Sequence, residues 1–352
     1  MRPAPPPLKG IAVLTLVILA ALSSTALAQL PNSILPGPKP ADVPKEWRVW
    51  IGDYGDGLNE HTILEKNHRL WLYEKGVGEW PLQKVGEYDF AVEGDDKSPL
   101  IGFVKDGSEL ALNDVRFDRH TYGVDLNSVA RIRPVKPIDE LRVSALATNP
   151  PHEKGNFRKP ELVELAPLDP AIHLDIRYAT TNDFLGTPVY SQARAFLQRP
   201  AAEALLRALQ KLKPLGYGLL IHDAYRPWYV TKIFWDATPP EGKIFVADPA
   251  QGSRHNRGCA VDLTLYDLAT GKPIEMPGTY DEMSPRSFPD YPGGTSLQRW
   301  HRDLLRRAME SEGFIVYEAE WWHFDYKDWK EYPILNVPFE KLGLDTGGAK
   351  MN

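Results

Sequence analysis

The sequence predicts an α+β protein in which a small all-β domain precedes a larger domain of mixed helices and strands. Residues 47–146 consist of short apolar runs broken by turn residues, which is the pattern of antiparallel strands. From residue 161 onward, amphipathic helical segments alternate with short buried strands. Of the 352 residues, 43% are hydrophobic and 25% are charged, so the chain is long and apolar enough to form such domains.

The first 28 residues have the features of a secretory signal peptide. Arg2 and Lys9 give a positive start, an apolar run covers residues 11–22, and the small-residue sequence Ala-Leu-Ala ends at Ala28. We expect cleavage after Ala28, a mature chain that begins at Gln29, a periplasmic or secreted location and no stable membrane insertion. An uncleaved anchor is the alternative, but the apolar run is shorter than the roughly 20 residues that a membrane span needs.

Charge and cysteine content narrow the function classes further. The formal net charge is −6, and removing Arg2 and Lys9 with the leader makes it −8. Because no excess of basic residues is available to bind polyphosphate, we expect no nucleic-acid partner. The single cysteine, Cys259, cannot form an internal disulfide. In an oxidising compartment the fold must therefore be stabilised by packing or by a metal.

Prolines mark a linker on each side of the predicted β domain. Residues 29–46 contain five prolines and are expected to be extended, and residues 147–160 form a second linker before the larger domain, residues 161–352. Within the β domain, Asp106-Gly107 lies between two apolar runs and predicts a hairpin turn. Three histidines of this domain do not have metal-ligand spacing and are expected to be surface or turn residues: His61, His68 and His120.

The larger domain contains two strongly patterned helices. Residues 200–213 begin with a proline, carry a stripe of leucines and end at a Pro-Leu-Gly sequence. A second helix is predicted to begin after Thr295, whose side chain can cap the first turn while Gln298 reaches back. Buried strands are expected shortly after each helix, at residues 218–222 and 314–317.

An imidazole and a carboxylate lie seven residues apart in the middle of this domain. His255 precedes Gly258, which permits a tight backbone turn, and Asp262 lies in the strand that follows. The alternation that starts at Ala260 places Asp262 on the opposite face from Val261, toward a cleft. Taken alone, each residue is better explained by a structural role, His255 in a turn and Asp262 at a strand edge.

A second cluster makes a metal site the better interpretation. Glu320 and His323 lie three residues apart in a stretch too aromatic to face solvent, where unpaired polar groups would cost several kcal/mol. His255, Asp262 and His323 supply two nitrogens and one oxygen, the donor set of a catalytic zinc with one open position. Glu320 would then be the nearby base. Since residues three apart in a strand face opposite ways, Glu320 must lie at a bend or at the strand's start.

Arg226 is a third candidate, at the end of the predicted strand 218–222. It directly precedes Pro227, which restricts the backbone there. A guanidinium in this position could stabilise an oxyanion or hold a carboxylate. The alternative is a structural ion pair with Asp223.

Four segments resemble a known family. Residues 253–262 fit S-x-H-x-x-G-x-A-x-D and residues 320–323 fit E-x-W-H, and both are similar to the zinc peptidases of the D-alanyl-D-alanine dipeptidase family, the VanX type. Residues 174–184 and 223–227 also resemble that family, and the likeness covers about residues 161–332. It implies one zinc ion per chain. It also implies the fold shared with D-Ala-D-Ala carboxypeptidases and the amino-terminal domain of hedgehog proteins, a central antiparallel sheet flanked by helices.

The resemblance also implies a role for each candidate residue. The zinc ligands would be His255, Asp262 and His323, and Glu320 would act as general base and then as acid. Arg226 would stabilise the tetrahedral intermediate. The residues that bind the two ends of the substrate would be Ser253 for the carboxylate, and Asp281 with Tyr178 for the ammonium group.

Three functions follow from these assignments. The favoured one is zinc-dependent hydrolysis of D-alanyl-D-alanine, a small D,D-dipeptide, in the periplasm during cell-wall fragment metabolism. The second is a D,D-carboxypeptidase or endopeptidase on peptidoglycan stem peptides, with the β domain contacting the cell wall. The third is a non-catalytic binding module stabilised by zinc. The β domain, residues 47–146, lies outside the resemblance, which therefore implies nothing about its role.

Overall fold

The structure is a computed structural model that describes residues 34–56, 60–94, 100–122 and 131–342. The predicted signal peptide and its cleavage site lie outside these residues. The described residues from Pro36 onward belong to one compact unit. Among the described residues, no helix has the length and apolar character required to cross a membrane.

An antiparallel sheet of eight strands forms the first half of this unit. Its strands pair in chain order, each with the next, so the sheet is a meander. The predicted turn at Asp106-Gly107 is confirmed, since it joins the sixth and seventh strands and Gly107 has a φ of +72°. The strands are β1 (Gly52–Tyr54), β2 (His61–Lys66), β3 (Arg69–Glu74), β4 (Gly78–Lys84), β5 (Asp89–Val92), β6 (Leu100–Phe103), β7 (Glu109–Leu112) and β8 (Val115–Asp118).

The prediction for the three histidines of this sheet is wrong for His61. His68 is an exposed turn residue as expected, and His120 is half-buried just after β8. His61, however, is buried in β2, where its Nδ1 lies 2.9 Å from Glu74 Oε1 and its ring packs against Phe117. The physical reason is that β2 lies between two neighbouring strands and is covered on both faces, so a polar residue in it finds a partner inside the protein.

Five α-helices are distributed along the described residues. The second of them falls inside the range predicted to be a β domain, and its Arg142 donates hydrogen bonds to the carbonyl oxygens of Pro188 and Val189. That helix therefore packs against the second half of the unit. The helices are α1 (Lys45–Arg48), α2 (Ile138–Leu146), α3 (Arg199–Leu212), α4 (Trp228–Ala237) and α5 (Ser296–Glu310).

A five-stranded sheet forms the centre of the second half. Across the sheet its strands are β10 (Ile172–Leu174), β12 (Tyr217–Asp223), β13 (Ala260–Asp267), β15 (Glu320–Tyr326) and β14 (Phe314–Tyr317). The expectation of an antiparallel central sheet is wrong at one edge, because β10 and β12 pair in parallel. The chain returns between them through α3, and a helical crossover of this kind leads to parallel pairing. Two further strands, β9 (Leu162–Glu164) and β11 (Phe196–Gln198), form a separate pair.

The two predicted helices are confirmed, and with them the caps. In α3 the leucine stripe is buried against the sheet. At the start of α5, Thr295 Oγ1 accepts a hydrogen bond from Gln298 N at 3.1 Å, and Gln298 Oε1 accepts one from Thr295 N at 2.8 Å. This reciprocal capping box satisfies two backbone donors that the helix leaves unpaired.

Gly258 controls how the chain enters β13. A short 3₁₀ turn, His255–Arg257, ends at Gly258, which has a φ of +66°. A Cβ atom at Gly258 would lie only 2.5 Å from Leu162 Cδ2. Both the backbone angle and the lack of space therefore require glycine here, as the sequence predicts.

We expect Gly258→Ala to lower the free energy of unfolding by more than Gly271→Ala does. Gly271 has a φ of +70° but nothing within 4 Å of an added Cβ atom. The control substitution should therefore cost about 1–2 kcal/mol of backbone strain alone, whereas Gly258→Ala adds about 1–3 kcal/mol from the contact with Leu162. Urea denaturation followed by circular dichroism measures both, and equal losses would contradict this explanation.

Candidate metal centre and catalytic cleft

Three residues predicted as metal ligands meet at one point. Asp262 in β13 and His323 in β15 are direct cross-strand partners, and His255 reaches them from the 3₁₀ turn before β13. His323 Nδ1 lies 3.0 Å from Asp262 Oδ1 and 3.1 Å from His255 Nε2, and His255 Nε2 lies 3.4 Å from Asp262 Oδ1. All three side chains are buried.

The hydrogen bonds around these residues favour a cation at that point. His255 Nδ1 lies 2.7 Å from Ala224 O, and His323 Nε2 lies 2.9 Å from Asp325 Oδ1. If each ring donates outward, both inner nitrogens present lone pairs to the same point, and Asp262 Oδ1 is buried there without a hydrogen-bond partner. Ligands about 2.0–2.1 Å from a tetrahedral ion lie roughly 3.3 Å apart. The three donors therefore fit one metal ion with an open fourth position.

The charges of the site lead to the same conclusion. Burial opposes a charge on His323, but Asp262 and Asp325 raise its pKa to about 10. Burial likewise opposes ionisation of Asp262, but His255 and His323 hold its pKa below the ordinary value. The surrounding carboxylates thus favour a positive charge at this point. A metal ion would supply that charge in place of the proton on His323.

Glu320 lies at the start of a strand, as the sequence predicts. It is the first residue of β15 and pairs with Tyr317, at a point where the register between β14 and β15 shifts. The regular alternation of side chains between the two faces of the sheet therefore does not apply to Glu320. Its Oε2 lies 3.6 Å from His323 Nδ1, and its side chain is 30% exposed toward the cleft. Burial raises the pKa of Glu320, and Asp262 raises it further, although His323 acts in the opposite direction.

Arg226 lies in the cleft and also forms the ion pair that was its alternative role. Asp223 Oδ2 accepts hydrogen bonds from Arg226 Nε at 3.0 Å and Nη2 at 2.7 Å. The guanidinium lies over the rings of Tyr178 and Phe234, 5.3 Å and 4.8 Å from their centres. Asp223 is itself the cross-strand partner of Asp262. The ion pair therefore fixes the Arg226 guanidinium beside the candidate metal ligands.

Asp281 and Tyr178 lie together on another wall. Tyr178 donates a hydrogen bond of 2.9 Å to Asp281 Oδ2, and burial raises the pKa of Asp281, with a further rise caused by Asp262. The adjacent acid has different partners, because Glu282 is paired with Arg286. Of the two neighbouring carboxylates, Glu282 is thus paired with a guanidinium and Asp281 with a hydroxyl group.

These groups line one cleft with a volume of about 470 Å³. Ser253 belongs to it, and its Oγ accepts a hydrogen bond from His255 N at 3.2 Å. The structure brings every predicted site residue to this cleft: Tyr178, Arg226, Ser253, His255, Asp262, Asp281, Glu320 and His323.

Sequence reasoning missed several residues that hold these groups in place. Tyr190 donates to Asp223 Oδ1 at 2.6 Å, and Tyr280 donates to Asp262 Oδ2 at 3.2 Å. Asp325 orients His323. Of these residues, only Asp325 could have been predicted from the sequence, because it lies two residues beyond His323 and therefore on the same face of a strand. Tyr190 and Tyr280 lie in loops, and no local sequence pattern predicts where these loops pack.

Comparisons with known proteins match the second half of the chain. A family model described as D-Ala-D-Ala dipeptidase, peptidase family M15, matches residues 158–340. The D-alanyl-D-alanine dipeptidase of Escherichia coli is 36% identical over 179 residues, which cover 51% of this chain and 91% of that protein. Those of Enterococcus faecium and Streptomyces coelicolor are 36% and 35% identical, covering 47% and 45% of this chain and 92% and 87% of the relatives.

We expect Asp262→Asn to lose the metal ion while the fold persists. The substitution removes the negative charge of the candidate ligand set, so bound divalent metal should fall at least about tenfold relative to the unaltered protein after dialysis. Asp267→Asn is the matched control, since it removes the same charge from the other end of β13. Metal analysis by mass spectrometry measures both, and an unchanged metal content in Asp262→Asn would contradict the ligand assignment.

Proposed function

This chain belongs to the D-Ala-D-Ala dipeptidase family of M15 peptidases, and from that membership we propose that it hydrolyses D-alanyl-D-alanine with zinc in the periplasm. As a member of that family it is a metallopeptidase, so the non-catalytic binding module is set aside. The observation that carries the proposal is the convergence of an imidazole–carboxylate cluster, a nearby acid and a fixed guanidinium on one cleft.

His255, Asp262 and His323 would hold the zinc ion. Two nitrogens and one oxygen are a donor set typical of catalytic zinc, and their outer hydrogen bonds orient them for it. When bound, the ion supplies a Lewis acid that polarises a carbonyl group and makes water more acidic.

Glu320 would move the protons of the reaction. A carboxylate with a raised pKa can accept a proton from the attacking water and later deliver it to the leaving amine. Its position at the start of β15, with Oε2 3.6 Å from His323 Nδ1, supports this role. Arg226 would act where negative charge develops on the substrate. Because Asp223 and two aromatic rings hold the guanidinium, little reorganisation is needed at that moment.

The two ends of the dipeptide would have separate binding groups. The ammonium group would pair with Asp281, a buried carboxylate whose pKa is raised by burial and by the neighbouring charge of Asp262. Tyr178 orients that carboxylate, and Ser253 would bind the substrate carboxylate at the opposite end. An N-acylated or longer peptide brings no positive charge to Asp281, so that buried site would be left unpaired.

The proposed location rests on the first 28 residues, which carry the positive start, apolar run and small-residue end of a signal peptide. Cys259 is buried and needs no disulfide partner, which is compatible with an oxidising compartment. Within the periplasm the substrate would come from cell-wall fragments. The sheet β1–β8 would contact the cell wall only under the endopeptidase alternative.

Glu320→Gln should lower kcat for D-Ala-D-Ala by about 10²–10⁴-fold, because the variant cannot accept a proton from water. Bound zinc should stay near one equivalent per chain, since Glu320 is not a ligand in this assignment. Glu318→Gln, two residues away on the exposed surface, is the control and should keep full activity. Retained turnover in Glu320→Gln would remove Glu320 from its role.

Free D-Ala-D-Ala should be cleaved at least about 10³-fold more efficiently than its N-acetylated form, measured as kcat/KM by release of D-alanine. Asp281→Asn should reduce this preference by weakening binding of the free dipeptide. Comparable cleavage of the N-acetylated peptide by the unaltered enzyme would reject the dipeptidase and favour the D,D-carboxypeptidase or endopeptidase.

A further inference from the structure

The sheet β1–β8 lies outside the family match, yet it contacts one wall of the cleft. That wall is formed by residues 279–294, the cleft-wall loop, which precedes α5 and begins beside Asp281. Several of its residues line the cleft: Asp281, Glu282, Met283, Ser284, Ser287 and Phe288. Contacts with the sheet β1–β8 hold this loop at two points.

The first attachment is a buried carboxylate of the sheet. Asp53 in β1 is 2% exposed, and it accepts hydrogen bonds from three hydroxyl groups. Tyr291 of the cleft-wall loop donates to it, with its hydroxyl 2.9 Å from Oδ1 and 2.8 Å from Oδ2. Thr62 of β2 donates to Oδ1 at 2.6 Å, and Tyr122 donates to Oδ2 at 2.6 Å. Tyr291 is thus the donor that joins the loop to the sheet.

A second attachment lies at the end of the loop. Glu65 of β2 donates from its backbone nitrogen to Gly294 O at 3.1 Å. Its carboxylate accepts from Ser296 N at 2.7 Å, and its carbonyl oxygen accepts from Arg299 Nη2 at 2.6 Å. The sheet therefore holds both the loop and the first turn of α5.

Inside the loop, Glu282 builds a frame around Asp281. Glu282 is 1% exposed and accepts from Arg286 Nη2 at 2.6 Å and from Thr279 N at 2.9 Å. Arg286 in turn lies over the ring of Tyr122, 5.0 Å from its centre, and so connects this frame to the Asp53 cluster.

Asp281 benefits from such a frame because its backbone has an uncommon conformation. Its φ of +57° lies in the left-handed region, which few residues other than glycine, asparagine and aspartate adopt. A loop with weaker attachments would relax from this conformation and carry the carboxylate away from Tyr178.

We propose that the sheet β1–β8 acts as a brace that holds Asp281 in position, with Asp53 and Tyr291 as positioning residues for recognition of the substrate's ammonium group. The inference rests on the proposed function for the role of Asp281. It assigns the additional sheet a part in substrate binding.

The test compares two variants that each remove one hydroxyl donor from Asp53. Tyr291→Phe removes the donor on the cleft-wall loop, whereas Thr62→Val removes the donor within the sheet. Tyr291→Phe should raise KM for D-Ala-D-Ala about tenfold, the effect of losing a hydrogen bond to a charged group, and leave kcat within about twofold. Thr62→Val should leave both constants within about twofold of the unaltered enzyme. Zinc should stay near one equivalent per chain in both variants.

Hydrogen–deuterium exchange supplies a readout that does not depend on activity. Backbone amides of residues 279–294 should exchange faster in Tyr291→Phe and at the original rate in Thr62→Val. If Tyr291→Phe fails to fold, Arg286→Lys, which breaks the paired contact with Glu282, should give the same rise in KM and the same faster exchange.

The outcomes separate the two proposals. If KM and exchange in Tyr291→Phe match those of Thr62→Val, the brace is overturned while the dipeptidase function stands. If the unaltered enzyme does not cleave D-Ala-D-Ala, the proposed function fails, and the exchange comparison alone decides whether the sheet holds the loop.

Discussion

The site depends on one constraint, which is that two imidazoles and a carboxylate are buried within hydrogen-bonding distance of one another. His323 Nδ1 lies 3.0 Å from Asp262 Oδ1 and 3.1 Å from His255 Nε2. Burial makes the unpartnered oxygen of Asp262 costly, so a positive charge among these three groups stabilises the cluster. The neighbouring groups are arranged around the position of that charge.

A short segment at the end of β12, Asp223 and Ala224, contacts both a candidate metal ligand and the guanidinium that would contact substrate. Ala224 O accepts from His255, and Asp223 holds Arg226. Asp223 also stands opposite Asp262 in the sheet. A displacement of this segment would therefore move His255, a candidate metal ligand, and the Arg226 guanidinium together. Because such a site depends on rigid strands for its geometry, the completely buried β12 is a suitable support.

On another wall of the cleft, the sheet β1–β8 supports the cleft-wall loop in a similar way. A long connection precedes α5, and a connection of this kind has few contacts of its own to define its shape. Buried hydroxyl–carboxylate bonds from β1 and backbone bonds from β2 supply those contacts. The family model matches residues 158–340, so the strands β1–β8 that form the brace lie outside the matched region.

Local chemistry made part of this protein predictable from its sequence. The capping box at Thr295, the left-handed turn at Gly258 and the strand after it depend on neighbouring residues, and the donor types of His255, Asp262 and His323 pointed to a metal before any fold was known. Tertiary structure decided the parallel edge of the central sheet, the burial of His61 and the attachment of Tyr291 to Asp53, whose positions are 238 residues apart. Partners so distant leave no periodicity in the sequence, because their contact is created only when separate elements pack together.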